Sequence, residues 1–67
     1  MEENWQKIYG SPFEHKVKIV QAVLEEAGIQ GIVLNKKDSA YLFGEVELYV
    51  QPEQVIRAKQ IINKESL

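Results

Sequence analysis

Apolar positions recur along this chain in two different periods. From Phe13 to Ala27 they fall three or four residues apart, at Phe13, Val17, Val20, Leu24 and Ala27, with Ile19 and Val23 widening the stripe. Lys16, Lys18, Gln21, Glu25 and Glu26 lie mostly outside that stripe, which is the pattern of an amphipathic helix. From Glu45 to Val50 the pattern alternates strictly. Val46, Leu48 and Val50 go to one side and Glu45, Glu47 and Tyr49 to the other, as in a strand with one buried and one wet face. A second helical stripe follows in Val55, Ala58 and Ile62, with Ile61 beside it.

The junctions carry matching punctuation. Trp5-Gln6-Lys7-Ile8-Tyr9 alternates and stops at Gly10, which reads as a short first strand. Ser11-Pro12-Phe13-Glu14 reads as a capping box, with Ser11 accepting the Glu14 N–H, Glu14 reaching back, and Pro12 in the first helical position. Gly28 is placed to close that helix in the left-handed conformation, with Ile29 making the accompanying apolar contact. Ile29 to Leu34 is a β-branched run of strand length, and Asn35-Lys36-Lys37-Asp38-Ser39 is a polar turn. Tyr41-Leu42-Phe43 reads as an extension of the third strand, with Gly44 as a bulge or kink. Pro52 and Glu53 suit the first turn of the second helix, Arg57, Lys59 and Lys64 gather toward its carboxyl end, and Ser66-Leu67 is expected to fray.

The order is therefore β-α-β-β-α in a single domain over residues 1–67. The spans are a strand at about 4–10, a helix at about 12–27, strands at about 29–35 and 41–50, and a helix at about 52–64. A crossover through the first helix makes strands one and two parallel, and a hairpin makes strands two and three antiparallel. The expected fold class is α+β, a two-layer sandwich with both helices on one face of a small mixed sheet.

Composition narrows the function. A 67-residue chain buries only ~60% of its unfolded surface, and with no cysteine it has neither disulfides nor thiolate ligands to supplement its core. Met1-Glu2-Glu3-Asn4 is acidic, and no stretch approaches the ~20 apolar residues of a membrane span, so a cytoplasmic protein with no membrane partner is expected. Eight basic against ten acidic residues give a formal charge of -2, which argues against nucleic acid. His15 is the only histidine and has no second ligand to complete a metal site. Ser11 and Ser39 are accounted for by a cap and a turn, and neither hydroxyl reads as activated. We expect no enzyme and no cofactor.

What remains is surface. With helices on one side only, the other face of the sheet exposes residues of opposite parity to Ile8, Val46 and Leu48, namely Trp5, Tyr9, Tyr49 and Val33. Grouped aromatics mark partner or oligomer surfaces, so a protein partner or self-association through this open face is the leading expectation. Glu45 and Glu47 on the same face disfavour RNA. The alternative is a small-ligand or anion sensor in the 35–44 loop, with Lys36 and Lys37 as the binding cations.

Leu24-Glu25-Glu26-Ala27-Gly28-Ile29, then Val46-Glu47-Leu48-Tyr49-Val50-Gln51-Pro52-Glu53, then Ala58 and Ile61-Ile62 carry a family resemblance. The chain resembles, over nearly its whole length, the small bacterial domain-of-unknown-function family labelled "putative prokaryotic signal-transducing protein". The resemblance implies a ferredoxin-like or nitrogen-regulatory-protein-like fold, a bacterial source and a regulatory role. It carries over no catalytic or binding residue. Gln51 departs from a good cap before Pro52, so the resemblance does not fix where the second helix starts.

Overall fold

The structure is a computed structural model and describes residues 4–37 and 44–67. Its elements are β1 (Gln6–Ser11), α1 (Glu14–Glu26), β2 (Gly31–Asn35), β3 (Val46–Val50), a single 3₁₀ turn (Pro52–Gln54) and α2 (Val55–Lys64). The Tyr41-Leu42-Phe43 extension of β3 falls outside the described residues. Among the described residues, two helices and three strands in β-α-β-β-α order make a small α+β fold compatible with the ferredoxin-like class.

The sheet order is β1-β3-β2, and β3 pairs antiparallel with both neighbours. The sheet is thus antiparallel rather than mixed. β1 and β2 do run in the same direction, as the crossover requires, but they are not adjacent. The connection through α1 skips one strand position, and the return from β2 brings β3 into the gap, where both of its neighbours run opposite to it.

Residues of β3 point alternately to the two faces, and the burial follows the alternation. Val46, Leu48 and Val50 are fully buried, whereas Glu47 and Tyr49 are half-buried on the other side. Val17, Val20 and Leu24 of α1, Ile29 after it and Ala58 of α2 complete the core, and Ile8, Tyr9, Val33, Val55, Ile61, Ile62 and Leu67 pack around it. Val33 stands opposite Leu48 and so belongs to the covered face; it is Ile32 and Leu34 that share the open side with Tyr49 and Glu47.

The start of α1 differs from the expected capping box. Phe13 is the N-cap residue and the helix begins at Glu14, with no side-chain cap bond. Ser11 is instead the last residue of β1, buried, and its Oγ accepts the Phe13 N–H at 3.1 Å. The hydroxyl stabilises the turn from strand to helix, a local use of serine that competes with capping, and leaves Pro12 outside the helix.

Both helices end in the same way. Gly28 has φ of +85°, its N–H donates to the Glu25 carbonyl at 3.0 Å, and the Ile29 N–H donates to the Leu24 carbonyl at 2.9 Å. This is a Schellman motif, and its apolar contact joins two fully buried residues, Leu24 and Ile29. At the end of α2, Ser66 takes the left-handed conformation at φ of 58°, its N–H donates to the Asn63 carbonyl, and the Leu67 N–H donates to the Ile62 carbonyl. Ser66-Leu67 therefore does not fray but repeats the cap, with Leu67 held against the core.

Candidate functional site on the open sheet face

The register of β1 decides which side chains reach the open face. Lys7 stands opposite Tyr49 and Gly10 opposite Glu47, but between Lys7 and Tyr9 the register shifts by one residue. A bulge there sets Ile8 and Tyr9 against the single residue Leu48, and both pack on the core. Tyr9 consequently lies on the helix-covered side, where it lines a shallow groove with Lys16, Ile19, Val20, Ser66 and Leu67. The expected trio of open-face aromatics is reduced by this bulge, which reverses the parity of every β1 residue beyond it. Trp5 is half-buried and sits two positions before Lys7, in phase with it. Tyr49 keeps its expected place.

Lys7, which alternation alone puts in phase with Trp5, is the residue that sequence reasoning overlooked. Its ammonium lies 3.4 Å from Glu47 and 3.6 Å from Glu45. On the other flank Lys36 lies 3.5 Å from Glu47 and 5.8 Å from the centre of the Tyr49 ring. The Tyr49 hydroxyl donates to Glu47 Oε1 at 2.7 Å and accepts from Lys36 Nζ at 3.5 Å. Glu47 is thus the hub of the face, with two cations and a phenol converging on one carboxylate.

The electrostatics follow from that geometry. The Tyr49 hydroxyl, and after it Lys7 and Lys36, hold the Glu47 carboxyl below its ordinary 4.5, against an opposing effect of burial. The Tyr49 hydroxyl, through its hydrogen bond and its charge, and after it the Glu47 charge, hold the Lys36 ammonium above its ordinary 10.5. Exposed pairs of this kind contribute little energy each, because water and salt screen them. They set charge of both signs beside Ile32 and Leu34 on the open face.

The remaining candidates are dispersed. Lys37 Nζ donates to the Pro12 carbonyl at 3.1 Å, and its N–H donates to Asn35 Oδ1 at 3.0 Å. The two lysines of the proposed anion loop are therefore engaged separately, and residues 38–43 of that loop lie outside the described residues. Gly44, at φ of +93°, brings the chain back so closely that a Cβ there would stand 2.5 Å from the Lys36 carbonyl oxygen. His15 is exposed on the first turn of α1, its ring centre 6.0 Å from that of Phe13. Among the described residues no three His, Cys, Asp or Glu side chains stand close enough to hold a metal ion.

A family model described as "putative prokaryotic signal transducing protein" matches residues 5–66. The chain belongs to that family. No curated protein and no solved structure matches it. The family match covers β1 through α2 and so includes the whole charged face. No described helix is long and apolar enough to cross a membrane.

Proposed function

We propose that this member of the signal-transducing family is a non-enzymatic, cytoplasmic interaction domain that contacts a protein partner through the open face of its sheet. The observation that supports this is the face itself. Both helices pack on one side, and the side left uncovered by the described residues holds Ile32, Leu34 and Tyr49 around an internally balanced group of Lys7, Glu45, Glu47 and Lys36. Aromatic and aliphatic area beside charges that are already paired within the chain suits a protein surface. Charge of both signs on the same face fits poorly with a nucleic-acid backbone.

The anion-sensor reading draws less support, because Lys36 and Lys37 each already have a partner within the chain. The interaction reading is tested by affinity capture from the native extract, with three immobilised forms compared by quantitative mass spectrometry. Proteins held by the unaltered chain are expected to be lost with Tyr49→Glu and retained with Ile56→Glu, which alters an exposed residue on α2. Equal capture by the unaltered chain and Tyr49→Glu would overturn the assignment of the face.

A further inference from the structure

The sheet has two lateral edges, and they differ in kind. β1 carries the devices by which natural sheets blunt an edge: the charge of Lys7, the bulge at Ile8, and Pro12 directly after its last residue. β2 carries none of them. Its five residues, Gly31-Ile32-Val33-Leu34-Asn35, contain no charge and no proline, and their register with β3 is unbroken.

The phase of the ladder fixes which groups of β2 face outward. The Lys36 N–H donates to the Glu45 carbonyl at 3.0 Å. Bonded and unbonded pairs alternate along an antiparallel ladder, so Leu34 with Glu47 and Ile32 with Tyr49 exchange bonds across β2 and β3. Gly31, Val33 and Asn35 then turn their N–H and C=O groups away from β3. Gln21 agrees with this phase, since its Nε2 reaches from α1 to donate to the Gly31 carbonyl at 3.0 Å.

We propose that β2 pairs with β2 of a second copy, antiparallel about a two-fold axis through Val33, joining two three-stranded sheets into one. The strand is self-complementary in that register. Val33 exchanges both of its outward bonds with Val33 of the second copy, Gly31 meets Asn35, and Ile32 meets Leu34 on the open face. The Gly31 carbonyl has a second lone pair for the Asn35 N–H while Gln21 keeps the first. Charge permits the register as well: Lys36 falls across from Gln30 of the second copy rather than another lysine. An isologous contact of this kind closes at a dimer. One short strand per copy is a small contact, so the dimer is weak and depends on concentration. This inference concerns the edge and stands apart from the partner proposed for the open face.

The test is sedimentation velocity on the full chain from micromolar to millimolar concentration, with amide hydrogen exchange followed by NMR on the same samples. The mass should rise from 7.7 kDa toward twice that value. The Val33 amide should become protected as concentration rises, while Ile32 and Leu34 stay protected throughout. Val33→Pro removes the outward N–H without removing a bond to β3 and should remain monomeric. Because Val33 also packs on the core, a second variant, Ile32→Lys with Leu34→Lys, sets like charges directly opposite each other on the open face and should be monomeric too. A mass of 7.7 kDa throughout the range would overturn the proposal. So would a dimer that keeps the Val33 amide unprotected, or one that persists in either folded variant.

Discussion

The two faces of β3 are made by alternate residues of one five-residue strand, yet they are held together by different physics. Val46, Leu48 and Val50 are fully buried in one core with Val17, Val20 and Leu24 of α1 and Ala58 of α2, held by burial and dispersion. Glu47 and Tyr49, one position out of phase, sit in a group of ion pairs and hydrogen bonds that water reaches. A covered face is sensitive to volume and indifferent to pH. An ionic face is the reverse, and that reversal is the means of testing the comparison.

The largest expected effect belongs to the covered face. Leu48 touches both neighbouring strands through its pairs Tyr9 and Val33, and its side chain is among the largest that are fully buried. Leu48→Ala should destabilise the fold by about 2–5 kcal/mol, measured by urea unfolding at neutral pH. In so small a domain that loss approaches the whole stability. A loss no greater than that of Tyr49→Phe would erase the distinction between the faces.

Next in size are the helix ends that bound the covered face. Gly28 and Ser66 occupy the same position of the same motif, but only one has the residue the backbone favours. Gly28→Ala should cost about 1–2 kcal/mol, entirely from the positive φ, because nothing stands within 4 Å of the place its Cβ would take. Ser66→Gly should run the other way and stabilise by up to about 1 kcal/mol, partly offset by the greater freedom glycine gives the unfolded chain. Thermal melts of the two variants should therefore shift in opposite directions.

These same residues show what the sequence discloses and what it withholds. The alternation of β3 and the Gly28 stop are local patterns with one physical meaning, and both appear in the structure as the pattern implies. The position of Tyr9 is not local: its parity depends on a bulge that no residue in Trp5-Gln6-Lys7-Ile8-Tyr9 announces, and that arises from fitting β1 to β3. Ser11 is ambiguous for a different reason. A serine beside Pro12 has two competing local bonds available, and the burial of Ser11 at the end of β1 selects the one to Phe13. The Ser66 cap is not legible in the sequence because serine is a poor marker of left-handed backbone. Glu47 is legible as an outward residue of β3, but its role as hub requires Lys7 and Lys36, which come from different strands and meet only when the sheet forms.

The smallest effect is the most specific to the open face, and it is read in pH. Glu47 titrates below its ordinary 4.5, chiefly because of the Tyr49 hydroxyl and then because of Lys7 and Lys36. A carboxylate whose folded value is depressed adds stability that is fully present above the unfolded value and is lost as pH falls through the folded one. The contribution should therefore hold at neutral pH and disappear below about 4.5. Lys36 has the opposite sign: its folded value is raised, so its contribution is present below 10.5 and fades as pH climbs past it. Tyr49→Phe removes the phenol shared by both shifts while leaving the ring in place. It should cost about 1 kcal/mol or less at neutral pH, move the Glu47 titration upward toward its ordinary value, and lower that of Lys36. Carbon-detected NMR of the Glu47 carboxyl group through an acid titration measures the first shift directly. If the Glu47 midpoint stays where it was in Tyr49→Phe, the lysines alone set the charge of the face, and the hub is ionic rather than hydrogen-bonded.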